Sequence, residues 1–492
     1  MTVLIKNGLV YDGSGEPPVR RNLLIDRGII SRVDAQQSRH ADRVIDAANA
    51  IVAPGFIDIN TSSDHHLSLF SSPEQRSFIG QGVTSIIGGA CGVSLAPLLG
   101  FPLDRVVAWG HPTHLNTNWG TMGQFLDALD QLRLGVNFGT LVGFSGVRRL
   151  LVGDERRDLS TPERALMLRI IERALHEGAF GFSTGADTAG TGHIPATEIE
   201  EVARLTARAH GVYAVHVRDV PTSILASVQG AIDIANRTHV HMELSHFMPM
   251  VGETSKYLDG IAAIEKAAGS SSIHFDVYPF DTVERPAVSL LPAWAHRADD
   301  VLTDERVRTH VGSLDLIDVR IGHLFEPSLR FLEGKRLSEF ASDCACTPHE
   351  AFLRILSLSR LRATIISRSV DRPTLEKLMT SQAALIASNS AGLDPVEFSD
   401  DRGRATFTTF LAWAEQSKSI PLEQAIARIT SIPASLYRLA KRGRIAETYH
   451  ADIVILRDLK PTTVFVNGAV ALEDGAFTGV RSGTALRART HA

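Results

Sequence analysis

From residue 53 to residue 388 short apolar runs alternate with longer helix-period stretches, and this rhythm limits the fold more than any other feature of the chain. The apolar runs fall at residues 55–60, 83–88, 137–142, 178–183, 211–216, 240–246, 273–278 and 384–388, eight in all. Stretches such as 161–177, 198–210 and 223–238 separate them with apolar residues on one helical face. Parallel strands need crossovers of this length, and the crossovers turn right-handed. Eight such units predict an α/β fold, a (β/α)8 TIM-type barrel. An open doubly wound sheet is disfavoured because no glycine-rich phosphate loop follows the first run. Strand-like segments at 318–323 and 363–367 sit in an insertion before the last strand.

Both ends of the chain have a different texture. In residues 1–52, Val3-Leu4-Ile5 runs into Lys6-Asn7-Gly8, and Leu23-Leu24-Ile25 runs into Asp26-Arg27-Gly28. Further short strands follow at 29–33 and 44–46. After Pro421 comes a helix at 423–430, and strands return at 452–456, 463–466 and 469–472. Isolated strands cannot bury both faces. The two ends are therefore expected to combine in one small β-sandwich, giving residues 1–52 and 441–492 as its parts and 53–440 as the barrel. A chain of 492 residues has room for both.

A formal net charge of −5 leaves no basic footprint for nucleic acid. No apolar run reaches the ~18 residues that span a bilayer, so no membrane is expected either. Met1-Thr2-Val3-Leu4-Ile5-Lys6 reads as a strand rather than a secretory signal. Three cysteines cannot build a disulfide framework, which points to the reducing cytoplasm. Assembly as a homo-oligomer is left open.

Barrel active sites lie at the C-terminal ends of the strands. Read in order, those ends carry Asn60, Ser62 and Asp64, then Cys91, His216, His246 and Asn389. One thiol and two imidazoles suit zinc, and three protein ligands with an open position are the pattern of a catalytic site. Taken singly, a cysteine after two glycines and a histidine at a strand end are more often small buried or satisfied polar residues. Cys344-Ala345-Cys346 has poor metal spacing and reads as structural.

Several segments together resemble one known group. They are Ala53-Pro54-Gly55-Phe56-Ile57-Asp58, Gly82-Val83-Thr84, Ala90-Cys91-Gly92, Ala96-Pro97-Leu98, the run 178–185, His216-Val217-Arg218, Asp276-Val277-Tyr278-Pro279 and Ala451-Asp452. In order and spacing the chain resembles the amidohydrolase superfamily, and within it the N-acyl-D-amino-acid deacylase (D-aminoacylase) family. The resemblance implies a barrel with a β-sandwich, and zinc-assisted hydrolysis of the N-acyl amide of a D-amino acid, a small acylated amino compound. Cys91, His216 and His246 match the family's tightly held zinc ligands. The family's His-x-His falls on Asn60 and Ser62, and its catalytic Asp, the general base, falls on Asn389. One zinc per chain and a missing base are therefore expected. Asp281, Glu284 and Arg285 stand where the family has small or neutral residues.

Asp64, His65, His66 and Asp281 are the candidate replacement bases. Arg402, Arg404 and Tyr278 are candidate substrate contacts, since a guanidinium can hold a carboxylate through two hydrogen bonds. Two functions remain in competition. One is an enzyme acting on an N-acyl amino acid or related amide through a single zinc, by acyl transfer, cyclisation or another non-hydrolytic route. The other is a catalytically inactive barrel with a structural or regulatory role, because fold alone never settles function.

Overall fold

The computed structural model describes residues 2–34, 41–103, 115, 117–153, 155, 157–185, 194–217, 224–268, 272–296, 302–392 and 401–489. Arg218, part of the His216-Val217-Arg218 motif, lies outside them.

The N-terminal segment forms β1 (Thr2–Val10), β2 (Val19–Asp26), β3 (Ile29–Val33), β4 (Arg43–Asp46) and β5 (Ile51–Pro54). The barrel strands are β6 (Phe56–Asp58), β7 (Val83–Gly88), β8 (Asn137–Thr140), β9 (Val142–Gly143), β10 (Gly181–Thr184), β11 (Val212–His216), β12 (His241–Ser245) and β13 (Ile273–Val277). An insertion contributes β14 (Thr282–Pro286), β15 (Arg320–Ile321) and β16 (Thr364–Arg368) before the last barrel strand, β17 (Ala384–Ile386). β18 (Ile453–Arg457), β19 (Lys460–Val466), β20 (Ala469–Glu473) and β21 (Ala476–Phe477) end the order.

The two ends of the chain meet in one nine-stranded sheet, ordered β21-β20-β19-β18-β5-β1-β2-β3 with β4 on β1. Its joint is the antiparallel pairing of β18 with β5, Ile453 opposite Pro54 and Ile455 opposite Val52. The expected pairing of the two end segments is met by a single continuous ladder that links them. Val3, Ile5 and Leu23 share one apolar cluster with Ile453, Ile455 and Phe465. Neither segment could bury those side chains alone.

All pairings among the barrel strands are parallel, running β6-β7-β8 and then β9-β10-β11-β12-β13-β17. Only Leu141 separates β8 from β9, so the two make one bent strand that hands the sheet on. No ladder joins β17 to β6 among the described residues. That seam is crossed instead by Asn389 N donating to Asn60 O at 3.0 Å and Ser62 N donating to Ser390 O at 2.9 Å. Ser388 N donates to the Asp58 carboxylate at 3.1 Å.

Period-two alternation sorts the strand residues. Tyr213, Met242, Leu244, Phe275 and Val277 face the helix layer in the largest apolar cluster. Val212 and Ala214 join Ile57, Ile87, Leu385 and Tyr437 in a separate inner cluster. The insertion has its own core, built on Val307, Ile321, Leu337, Phe352 and Ile365. Cys344 and Cys346 are half-buried against it, between the end of the helix Leu337–Asp343 and the helix Pro348–Leu358.

Asp58 is fully buried, and burial pushes its carboxyl up to about 7 despite the Ser388 and Asn60 amides. The folded state therefore holds a proton there that the unfolded chain releases in the ordinary carboxylate range. Stability contributed by this group is full at low pH and is lost as pH rises through about 7. Asp58→Asn should reduce the fall in unfolding free energy between about pH 4 and pH 7 by up to ~1.4 kcal/mol per pH unit. Chemical denaturation at several pH values checks this.

Candidate metal centre

Three side chains from three strand ends converge at the mouth. Cys91 Sγ lies 3.2 Å from His216 Nδ1 and 3.2 Å from His246 Nε2. Their donor atoms all fall within 4.8 Å of one another, the sole such cluster among the described residues. Tetrahedral zinc with its usual bond lengths spaces sulfur and nitrogen by about 3.6 Å. The set therefore fits zinc after a shift of tenths of an ångström.

Alternation alone explains His216, which shares the inward side of β11 with Val212 and Ala214. It does not explain His246, which would follow Met242 and Leu244 outward. A left-handed backbone, φ 61°, turns His246 back towards the thiol. Cys91 and Asn389 are left-handed too, at φ 52° and 51°. Non-glycine residues in this region carry strain of ~1–3 kcal/mol each and cluster at functional sites.

The loop carrying Cys91 is fastened from both sides. Gly89, at φ 75°, leaves no room for a Cβ, which would sit 2.3 Å from Leu141 O. Its N–H donates to Asp64 Oδ2 at 2.6 Å, and Gly92 N donates to Ser183 Oγ at 2.9 Å. Burial pushes the Cys91 thiol up, but His246 and His216 outweigh it and hold the thiol well below its ordinary value. A thiolate is the form that binds metal.

Beside this set sits Asp276, fully buried at the end of β13. Its Oδ1 accepts His246 N at 3.1 Å and Asn389 Nδ2 at 3.1 Å, and its Oδ2 accepts Asn60 Nδ2 at 2.8 Å. Both carboxamides that stand at expected metal-ligand and base positions are thus committed to one carboxylate. Asn389 Oδ1 is buried with no hydrogen-bond partner among the described residues. Glu243, one strand away, accepts the Tyr437 hydroxyl. Burial, then the neighbouring Asp276, raises its carboxyl well above the usual range. Ser62 is half-buried and engaged through its backbone.

The proton-handling candidates occupy different surroundings. Asp64 is buried under the Cys91 loop, with Oδ1 lacking a hydrogen-bond partner among the described residues. His65 Nε2 lies 3.2 Å from Val93 O and 4.0 Å from Asp64. Burial and then His323 hold His66 down at about 3, so its imidazole is neutral at pH 7. Its ring stands edge-on to His323 at 4.9 Å and to Phe325 at 5.0 Å. Asp281 is set apart at the start of the insertion, paired with Arg368 at 3.1 Å.

Arg402, on the first turn of the helix Asp401–Ser417, is buried, whereas Arg404 is exposed. Arg402 reaches Glu284 Oε2 at 2.5 Å and Asn389 O at 3.3 Å. Its guanidinium carbon lies 5.3 Å from the centre of the buried Tyr278 ring. Sequence reasoning missed Glu243 and His323. Applying the strand-end rule within the insertion would have found His323, because it closes the strand-like segment 318–323.

Comparison with known proteins adds an independent line. A profile described as the amidohydrolase family matches residues 382–470. D-aminoacylase of Alcaligenes xylosoxydans xylosoxydans is 28% identical across 100% of this chain and 98% of its own length. A solved D-aminoacylase, characterised for a binuclear metal center with one-metal activation and second-metal attenuation, superposes with a TM-score of 0.79. It is 26% identical, with 99% of each chain covered. N-acyl-D-glutamate deacylase of Bordetella bronchiseptica, complexed with zinc and a phosphonate inhibitor, shares the fold at a TM-score of 0.81, with 24% identity and 99% of both chains covered.

Proposed function

With similarity to amidohydrolases of the D-aminoacylase type extending over the full length as premise, we propose that this chain acts on an N-acyl amino acid or related amide through one zinc held by Cys91, His216 and His246. The convergence of those three donors carries the proposal. Zinc bound there would supply Lewis-acid polarisation of an acyl carbonyl.

The chain's own residues would do the rest. Asp276 holds the His246 backbone and both carboxamides in register. Asn389 cannot take up a proton at neutral pH, so proton transfer falls to Asp64 or His66. Neutral His66 accepts a hydrogen bond but is a weak base, since general-base power is greatest for a pKa near the working pH. Acyl transfer to an amine, or cyclisation by one, suits this pocket better than fast hydrolysis: a neutral amine attacks without prior deprotonation, and the proton it sheds would pass by way of Asp64 or His66 to the nitrogen of the departing amine.

One observation favours a second reading, a barrel without catalysis. Asn60 and Asn389 are both spent on an internal hydrogen-bond network rather than directed at a ligand. Incubating the zinc-loaded protein with a panel of N-acyl amino acids and their amides separates the two. Turnover that vanishes in Cys91→Ala supports the enzyme. Full zinc occupancy with no product from any compound supports the inactive barrel.

A further inference from the structure

We infer that Glu284 occupies, from within the chain, the place on Arg402 that a substrate carboxylate would otherwise take, so that the mouth selects acylated amino compounds whose carboxyl end is uncharged, as in an amide, ester or peptide linkage. This rests on the amide-acting reading above and adds the substrate class to it.

Arg402 is a buried guanidinium beside the carboxamide end of the metal centre. It touches Asn389 O at 3.3 Å, Asn389 Nδ2 touches Asp276, and Asp276 accepts His246 N. A planar guanidinium is the side chain best shaped for a carboxylate. Here it already has one, Glu284 Oε2 at 2.5 Å, with the Arg402 side chain 4% and the Glu284 side chain 13% exposed. The acid is firmly presented. Its Oε1 accepts Thr364 Oγ1, and β14 places Glu284 opposite Ile366 of β16. Burial works against the carboxylate, but His323 and Arg402 outweigh it and keep it ionised.

A substrate carboxylate arriving at Arg402 would have to break this buried pair, leaving a charge uncompensated. It would also meet the negative charge of Glu284 at short range, where low effective dielectric strengthens repulsion. An amide or ester end meets neither obstacle.

The test is isothermal titration of zinc-loaded wild type and Glu284→Gln with N-acetyl-D-alanine and with N-acetyl-D-alaninamide. Wild type should bind the amide about tenfold or more tightly than the acid, and Glu284→Gln should narrow or invert that ratio by about tenfold. Equal or tighter binding of the acid by wild type would overturn the inference, as would an unchanged ratio in the variant. If Glu284→Gln does not fold, the wild-type ratio decides alone. If neither compound binds either protein, the amide-acting reading fails on its own account. The inference is then decided by sodium acetate in crystals of both proteins. Acetate on Arg402 in Glu284→Gln but not in wild type supports it, and any other pattern overturns it.

Discussion

Cys91→Ala should abolish tight zinc binding, and the wild-type protein is expected to carry one equivalent. The thiolate is the only sulfur donor in the converging set, and removing it leaves two imidazoles on separate strands. Two histidines without a third ligand rarely retain zinc through purification. Metal that binds only the folded state stabilises by mass action, about 4 kcal/mol when free metal exceeds its dissociation constant a thousandfold. A chelator should therefore lower the melting temperature of wild type and leave that of Cys91→Ala unchanged. Elemental analysis together with thermal melts, with and without chelator, reads both effects. Two equivalents of zinc in wild type would mean that a second position exists despite Asn60 and Ser62. No zinc would remove the basis of the proposed chemistry.

Asn389→Asp will not create an efficient deacylase, and it will destabilise the protein. General-base catalysis is worth ~10²–10⁴-fold in rate, so restoring a carboxylate looks like the obvious repair. The hydrogen bonding shows why it fails alone. Asn389 Nδ2 is a donor to Asp276, and an aspartate would set a second acceptor against a buried carboxylate. One of the two acids must then take a proton or the pair must separate, at a cost of ~1–3 kcal/mol. Adding Asn60→His and Ser62→His supplies imidazoles where the resemblance places a second metal position. A second cation would relieve the carboxylate repulsion. The triple variant should therefore recover stability in added zinc, bind more than one equivalent, and deacylate N-acetyl-D-amino acids faster than the single variant. Denaturation midpoints, zinc content and amine release compare the three proteins. Efficient hydrolysis by wild type would overturn the argument and point to Asp64 or His66 as the working base.

The barrel was legible because buried parallel strands must be apolar and their crossovers must be helical, and both requirements leave a pattern along the chain. The place of Cys91, His216 and His246 followed from reading strand ends. The turn that brings His246 inward did not, because alternation predicts the opposite face and a single left-handed residue reverses it. The partners of Arg402 were equally hidden. Glu284 stood out as a charge in an unusual place, but only the pairing of β14 with β16 sets it against a helix more than a hundred residues later. The nearness of Asp58 and of Glu243 to Asp276, whose charge acts on both, is invisible for a similar reason. Each acid belongs to a different strand, and only the folded barrel brings them together.

The joint between β5 and β18 has a consequence for how the protein is made. β1 to β5 are synthesised long before the strands beginning at Ile453 that complete their ladder. The same late stretch also holds the lower rim of the barrel. Phe138 N donates to Thr484 O at 3.0 Å, Leu486 N to Phe138 O at 2.7 Å, and Ala488 N to Gly178 O at 2.9 Å. During synthesis the first sheet edge and the barrel rim must both wait, with unpaired backbone exposed, for residues 453–488 to emerge. Stalled or shortened chains would thus be a source of aggregation.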